Sequence, residues 1–315
     1  MQDEKIFSPE DTVVSSLSRI SSELSLLEEE RICELAELAE EAAEATLSLF
    51  QAGMTGIEVL SLLSDEGLLK REEEKDGEKE ALFHLNSFGK LITSADRAYF
   101  SELYLLRLRR LGISLSESDF LPEYSGGEEL IYLRNAFADE AFEVFSQDLN
   151  DPRVRYSGSL RDAAARVAEG DGDYCLLPLE ERGSRLQAVA ELIFRHDLKI
   201  DMVTPVFGFD GSADMKYAAC SKGFRIPLLR ADDDRYLEIR LPADADPISE
   251  VLIASEALGL SIYRISSASF DTEDGRRQYF SLVLRDEGRE FTSFLAYLTL
   301  FSRGFGAVGI YKNLE

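Results

Sequence analysis

Glu180 and Glu181 are the side chains in this sequence whose type and position first suggest chemistry. They follow an apolar run, Tyr174–Leu179, that reads as a buried strand. That places them in a polar loop, Glu180–Arg185, at the carboxyl end of a strand, where open α/β sheets hold their ligand sites. Adjacent carboxylates there could serve as a general acid and base. A solvated loop, or capping of the next helix N-terminus where negative charge is favoured, would use the same residues. Ser266, Ser267 and Ser269 form a second set. Hydroxyls along one strand could line a ligand pocket at a subunit interface, or make an edge strand polar against aggregation. Other chemistries are excluded. His84 and His196 are the only 2 histidines, which excludes a histidine-rich metal site and argues against a Ser-His-Asp triad. His196 stands at a predicted helix C-terminus, where capping accounts for it. Cys33, Cys175 and Cys220 lack metal-ligand spacing, and the last two lie in apolar strands as buried reduced thiols. No metal and no cofactor is expected.

The elements that must position these groups fall into three stretches of the 315-residue chain, enough for two or three domains. Residues 128–230 alternate strand and helix: Leu130–Leu133, Ala138–Phe145, Val154–Tyr156, Leu160–Ala168, Tyr174–Leu179, a helix carrying Leu186, Val189, Leu192 and Ile193, then Leu198–Val203 and Lys216–Cys220. That is a βαβ series, hence a parallel or mixed sheet with helices on its faces. Residues 235–315 give βαββαβ: Tyr236–Leu241, Ile248–Leu258, Ser261–Phe270, Arg276–Leu284, Glu290–Arg303 and Ala307–Tyr311, with Thr272-Glu273-Asp274-Gly275 as the hairpin turn and its Asp-Gly as the turn signal. Alternation places Gln278, Phe280, Leu282 and Leu284 on one face and Tyr279, Ser281 and Val283 on the other.

Residues 1–125 read as an acidic helical domain. Asp11 or Thr12 could cap a first helix, Glu28–Phe50 is helical until Gly53 breaks it, and Met54–Glu66 and Ala95–Leu111 are further helices. Gly67-Leu68-Leu69, a charged hairpin around Asp76-Gly77 and a strand Ala81–Leu85 together resemble the helix and wing of winged-helix domains. The alternative is an acidic helical domain with one surface hairpin. A net charge of −26 opposes binding to nucleic acid or an anionic membrane. No apolar run approaches the roughly 20 residues of a membrane helix, and the acidic first residues show no signal-peptide core. A cytoplasmic protein is expected.

A βαββαβ module behind an α/β lobe carrying Leu177-Pro178-Leu179-Glu180-Glu181-Arg182 resembles the prephenate dehydratase family, whose motif there is Leu-Pro-Ile-Glu-Asn-Ser. The following LQAVAELIFRHDLKI and the terminal Gly309-Ile310-Tyr311 fit the same resemblance, which covers about residues 128–313. It implies a periplasmic-binding-protein-like α/β lobe followed by an ACT-like, ferredoxin-like regulatory domain. It also implies a homodimer through that domain and a small-molecule ligand such as an aromatic amino acid. The departures are chemical. The family's Thr-Arg-Phe falls on Met215-Lys216-Tyr217, and Met cannot handle a proton as a hydroxyl does. Lys216 keeps the charge of Arg without its bidentate fork. Only one lobe fits into residues 128–230, where the family has two. The family's phenylalanine-binding motifs fall on Ile248-Ser249-Glu250 and on Ser266-Ser267-Ala268-Ser269.

The expectation is a multi-domain α+β and α/β protein: a helical, winged-helix-like domain over 1–125, the dehydratase-like lobe over 128–230 and the ACT-like domain over 235–315. It would be a catalytically degenerate, ligand-sensing relative linked to aromatic amino-acid metabolism, with ligand contacts at Ile248, Ser249, Ser266 and Ser267. The alternative is a working prephenate dehydratase behind a degenerate chorismate-mutase-like N-terminus, with Glu180 and Lys216 in its site and Thr204, Ser184 or Ser212 replacing the missing Thr. The third reading, a transcriptional regulator, is opposed by the charge.

Overall fold

The computed structural model describes residues 9–64, 91, 93–124, 127–149, 151–207, 213–227, 234–286 and 290–314. The hairpin around Asp76-Gly77, the strand Ala81–Leu85, His84 and Ser212 lie outside them. The helices are α1 (Pro9–Gln51), α2 (Gly56–Leu63), α3 (Ser94–Arg110), α4 (Ala136–Asp148), α5 (Leu160–Glu169), α6 (Gln187–Arg195), α7 (Ile248–Ala257) and α8 (Thr292–Phe301). The strands are β1 (Glu129–Tyr132), β2 (Arg153–Tyr156), β3 (Tyr174–Glu181), β4 (Ser184–Arg185), β5 (Lys199–Phe207), β6 (Ala213–Ser221), β7 (Arg235–Pro242), β8 (Ser261–Thr272), β9 (Gly275–Arg285) and β10 (Gly306–Asn313).

The strands form one mixed sheet in the order β2-β1-β3-β6-β5-β10-β7-β9-β8, with β4 hairpinned onto β3. The first three are parallel and β6 runs antiparallel to both β3 and β5. The last four are antiparallel and interleaved, as a βαββαβ chain requires when each crossover leaves room for one strand between its ends. β5 and β10 pair in parallel and join the two halves. Gly309 is needed at that joint, because a Cβ there would lie 2.6 Å from the Ile200 carbonyl oxygen.

Local sequence sets the helices. Thr93 accepts from the Asp96 amide at 3.1 Å and Asp96 Oδ2 accepts from the Thr93 amide at 3.0 Å, a reciprocal cap that starts α3. Asp96 also takes Arg31 of α1 at 3.0 Å, which ties the two helices together. Thr55 and Glu58 make the same reciprocal cap on α2. Asn135 and Ser159 cap α4 and α5 by accepting from the third residue on. Gly170 ends α5 in the left-handed conformation at φ 83°. Helix α1 begins at Pro9, so Asp11 and Thr12 lie inside it rather than at its cap. Pro suits a first helical position because its missing N–H would have no partner there.

Three cores follow from the faces of the sheet. Leu237, Ile239, Leu282, Leu284 and Ile310 face α1, α2, α3, α7 and α8. Ile131, Cys175, Leu177, Val203, Ala218 and Tyr311 face the opposite way with α5 and α6. Tyr132, Tyr217, Met202 and Val206 face α4. Cys175 and Cys220 are buried free thiols opposite each other in register, and burial pushes both up. Among the described residues no helix is long and apolar enough to cross a membrane.

Two buried charges stabilise or stress this arrangement. Arg235 is 1 % exposed and forks onto Glu117 at 2.8 and 2.9 Å, while its Nε donates to Asp286 at 2.8 Å. Glu117, in the short turn after α3, also accepts from the Phe291 amide at 2.8 Å. The helical stretch is thereby pinned to the start of β7 and of α8. Asp201 occupies the register shift between Ile200 and Met202 on β5. Burial raises its pKa to about 7, against lowering by the Ser221 hydroxyl, the Arg225 amide and the Arg225 charge.

Removing Arg235 takes the shared guanidinium away from the buried carboxylates of Glu117 and Asp286. Arg235→Met is expected to cost about 3–5 kcal/mol in urea unfolding. For Asp201 the folded pKa lies above the unfolded value of about 3.9, so its protonated form favours the fold. That stability is fully present below about pH 4 and is lost as the pH rises through about 7. Asp201→Asn is expected to flatten the melting-temperature profile between pH 5 and 8 and to melt above wild type at pH 8.

Candidate functional site

The sequence places Glu180 in a loop; the structure places it in a strand. β3 runs on through Glu181, and Arg182-Gly183 make a two-residue turn into β4 with φ of 47° and 76°. Two successive positive φ values define the hairpin turn whose twist matches its strands. Arg at the first position hid it, since Asn and Asp usually stand there. The carboxylates are also neither solvated together nor a cap. Glu180 is 5 % exposed and Glu181 is exposed, while α6 starts at Gln187 behind Leu186, with no side-chain cap.

Glu180 lies opposite Lys216 of β6, whose Nζ is 4.0 Å from Glu180 Oε2. Both face the far wall, which is β8. From there Arg264 donates to both oxygens of Glu180, the Nη2 bond being 2.8 Å. The Glu180 carboxylate, first among the causes, holds Arg264 above the usual guanidinium value. Lys216 Nζ donates to the Tyr263 hydroxyl at 3.2 Å and sits over that ring. Thr204 is not brought to them. It pairs with Tyr217, one position on from Lys216, so it points to the other face of the sheet. Its hydroxyl donates to the Leu314 carbonyl at 3.0 Å. Ser184 starts β4 beside Glu181.

Below Glu180 the two walls enclose a cleft of about 450 Å³. One wall is the β3–β4 hairpin and the start of α6, with Ser184, Arg185 and Gln187; the other is the face of β7, β9 and β8. Register builds that second wall in rows. Glu238, Val283 and Arg264 are aligned across β7, β9 and β8, and two residues further on Arg240, Ser281 and Ser266 are aligned. The next row is closed by Tyr279 and Ala268. Ser266 and Ser267 line the cleft, whereas Ile248 and Ser249 open α7 on the opposite, helix-covered side of the sheet. The structure therefore splits the four ligand residues read from the sequence into two separate pairs.

The charges in the cleft are unequally served. Glu238 is 2 % exposed; its Oε1 accepts from Arg185 at 2.9 Å and from Ser281 at 3.0 Å. Its Oε2 is buried and has no donor among the described residues. Arg240 rests against the stacked rings of Phe194 and Phe270, 4.9 Å from each centroid. Burial lowers its pKa. Among the described residues the Arg240 guanidinium makes no hydrogen bond and no ion pair. Arg185, Glu238, Arg240 and Arg264 escaped the sequence reading. The available signal was charge at alternate positions of the otherwise apolar RYLEIRLP, which puts Glu238 and Arg240 on one face of one strand.

No family model matches the chain, and no curated protein sequence matches it. Solved structures similar to it include a protein described as a novel type of quorum-quenching acylase, GqqA, at 17 % identity and a TM-score of 0.44, covering 59 % of this chain and 96 % of that one. The prephenate dehydratase of Streptococcus mutans is similar at 12 % identity and a TM-score of 0.47, over 60 % of this chain and 100 % of that one. The prephenate dehydratase of Arthrobacter aurescens in complex with L-Phe is similar at 14 % identity and a TM-score of 0.46, over 58 % and 89 %.

Arg264→Met leaves Glu180 buried beside Lys216 alone. It is expected to destabilise by more than about 1.5 kcal/mol in urea unfolding, the lower range for a hydrogen bond to a charged group. The double variant Arg264→Met/Glu180→Met is expected to recover part of that loss, and a double-variant loss equal to the sum of the two single losses would show that the pair is not coupled.

Proposed function

We propose that this chain is a prephenate-dehydratase-like protein that no longer dehydrates prephenate and instead senses a small ligand. One observation carries the reading: the Glu180 carboxylate is already occupied. It accepts both Arg264 donors and faces Lys216, and β8 of the C-terminal half covers the side from which a substrate would approach. A carboxylate held in two charge-assisted hydrogen bonds has its oxygens already engaged and is closed to a dicarboxylate substrate. The residues that would complete a dehydratase site do not gather around it. Met215 replaces the hydroxyl residue, and Thr204 is committed to the Leu314 carbonyl on the other face. Among the described residues no second α/β lobe stands across from Glu180; the last four strands do.

The interleaved order β10-β7-β9-β8 with helices on one face is the arrangement that the ACT-like, ferredoxin-like resemblance implies, which supports a regulatory role for residues 235–315. β8 is the outer strand of that half, with Ile262 and Ile265 exposed, and a second copy could pair there. In this reading the ligand is an amino acid, with Ser266 and Ser267 as its candidate contacts in the cleft; Ile248 and Ser249, on the other side of the sheet, would belong to a different contact.

The deciding experiment mixes purified protein with prephenate and follows phenylpyruvate by its absorbance in alkali. No turnover above buffer is expected for wild type. Turnover that disappears in Lys216→Ala would replace this reading with a working dehydratase whose site has been rebuilt around Lys216.

A further inference from the structure

We infer that the cleft between the β3–β4 hairpin and the β7–β9–β8 face binds an apolar α-amino acid, one per chain, with its carboxylate on Arg240 and its ammonium turned toward Glu238. The inference rests on the ligand-sensing reading and gives it a site inside one chain.

The first observation is Arg240. A guanidinium without a hydrogen bond or ion pair among the described residues, set in a concave site, is costly unless something answers it. The neighbouring cations are already answered: Arg185 by Glu238 and Arg264 by Glu180. Arg240 is therefore the cleft's net positive charge, in a chain whose own net charge is −26. Its planar fork matches a carboxylate. Ser266, in the same row on β8, is a hydroxyl neighbour for the same group, while the Ser281 hydroxyl between them already donates to Glu238. Phe194 and Phe270 fix where the guanidinium stands, so little freedom is lost on binding.

The second observation is independent. Glu238 lies two residues before Arg240 on the same strand face, is 2 % exposed, and leaves Oε2 without a donor among the described residues. A buried carboxylate oxygen wants a donor, best a charged one. An acceptor for an anion and an acceptor for a cation, two residues apart along one strand, are the two ends of a zwitterion. Phe270, Tyr279 and Ala268 line the remaining wall, and about 450 Å³ admits a side chain of leucine or phenylalanine size.

Titration calorimetry on the full chain tests this with L-phenylalanine and L-leucine as probes, beside 3-phenylpropanoate, which lacks the ammonium, and phenethylamine, which lacks the carboxylate. At least one amino acid is expected to bind once per chain, and each truncated probe to bind at least tenfold more weakly. Arg240→Met, which keeps the packing against Phe194 and Phe270, is expected to abolish binding without shifting the urea midpoint. Ser266→Leu, which fills the cleft, is expected to do the same. Arg277→Met, on the hairpin outside the cleft, should bind like wild type. Silence with both amino acids, binding that survives Arg240→Met and Ser266→Leu, or equal binding of 3-phenylpropanoate would each overturn the assignment. Prephenate turnover together with Arg240-dependent binding would overturn the loss of catalysis and leave the amino-acid site standing.

Discussion

The parallel pairing of β5 with β10 is the constraint on which the rest of this structure depends. Each half could satisfy most of its own backbone hydrogen bonds, but both would present a free strand at the joint. Pairing those strands removes two edges and makes one sheet of two series that the sequence shows as separate rhythms. The close approach at Gly309 sets the register of the joint. β8, far from β3 in strand order, comes to face it, and Arg264 reaches Glu180. The cleft exists because the two halves share a sheet and a face.

Charge is distributed accordingly. On the outer faces the sheet is covered by helices through apolar cores, and charged residues there are sparse. On the inner face, Glu180, Lys216, Arg264, Glu238 and Arg185 meet as matched groups from strands distant in sequence. Buried ion pairs of this sort give specificity more dependably than net stability, because desolvation offsets much of the attraction. Here they fix how the halves meet, since a one-residue slip of β8 would turn Arg264 away from the cleft. Arg235 does the same between the helical stretch and the C-terminal half. Asp201 is the exception: a carboxyl buried at a strand irregularity whose second oxygen has no donor among the described residues.

Much of the fold was legible in the sequence because it is written in local periodicities. The apolar run Tyr174–Leu179, buried along its length, announced a strand covered on both sides. The alternation in RRQYFSLVL separated Leu282 and Leu284 from Ser281 and Val283, and the structure puts them on opposite faces. The Asp274-Gly275 turn stood out for its chemistry, and Gly275 has a φ of 112°. The Arg182-Gly183 hairpin did not, because its first residue carries no turn preference.

The sequence by itself determined the elements, their order, the acidic balance and the scarcity of histidine that excludes a histidine-rich metal site, since each is a property of residue type and short-range spacing. It also singled out Glu180, which follows an apolar run, and Ser266, one of several hydroxyls along one strand, while Lys216 entered through the family resemblance. Only the tertiary structure decided what those residues meet. It set Glu180 against Arg264, turned Thr204 to the opposite face, separated Ile248 and Ser249 from Ser266, and placed Arg240 beside Glu238 with no hydrogen bond or ion pair among the described residues. Those outcomes depend on strand order, register and the way one sheet folds its halves toward each other, and none of these is encoded in the spacing of neighbours along the chain.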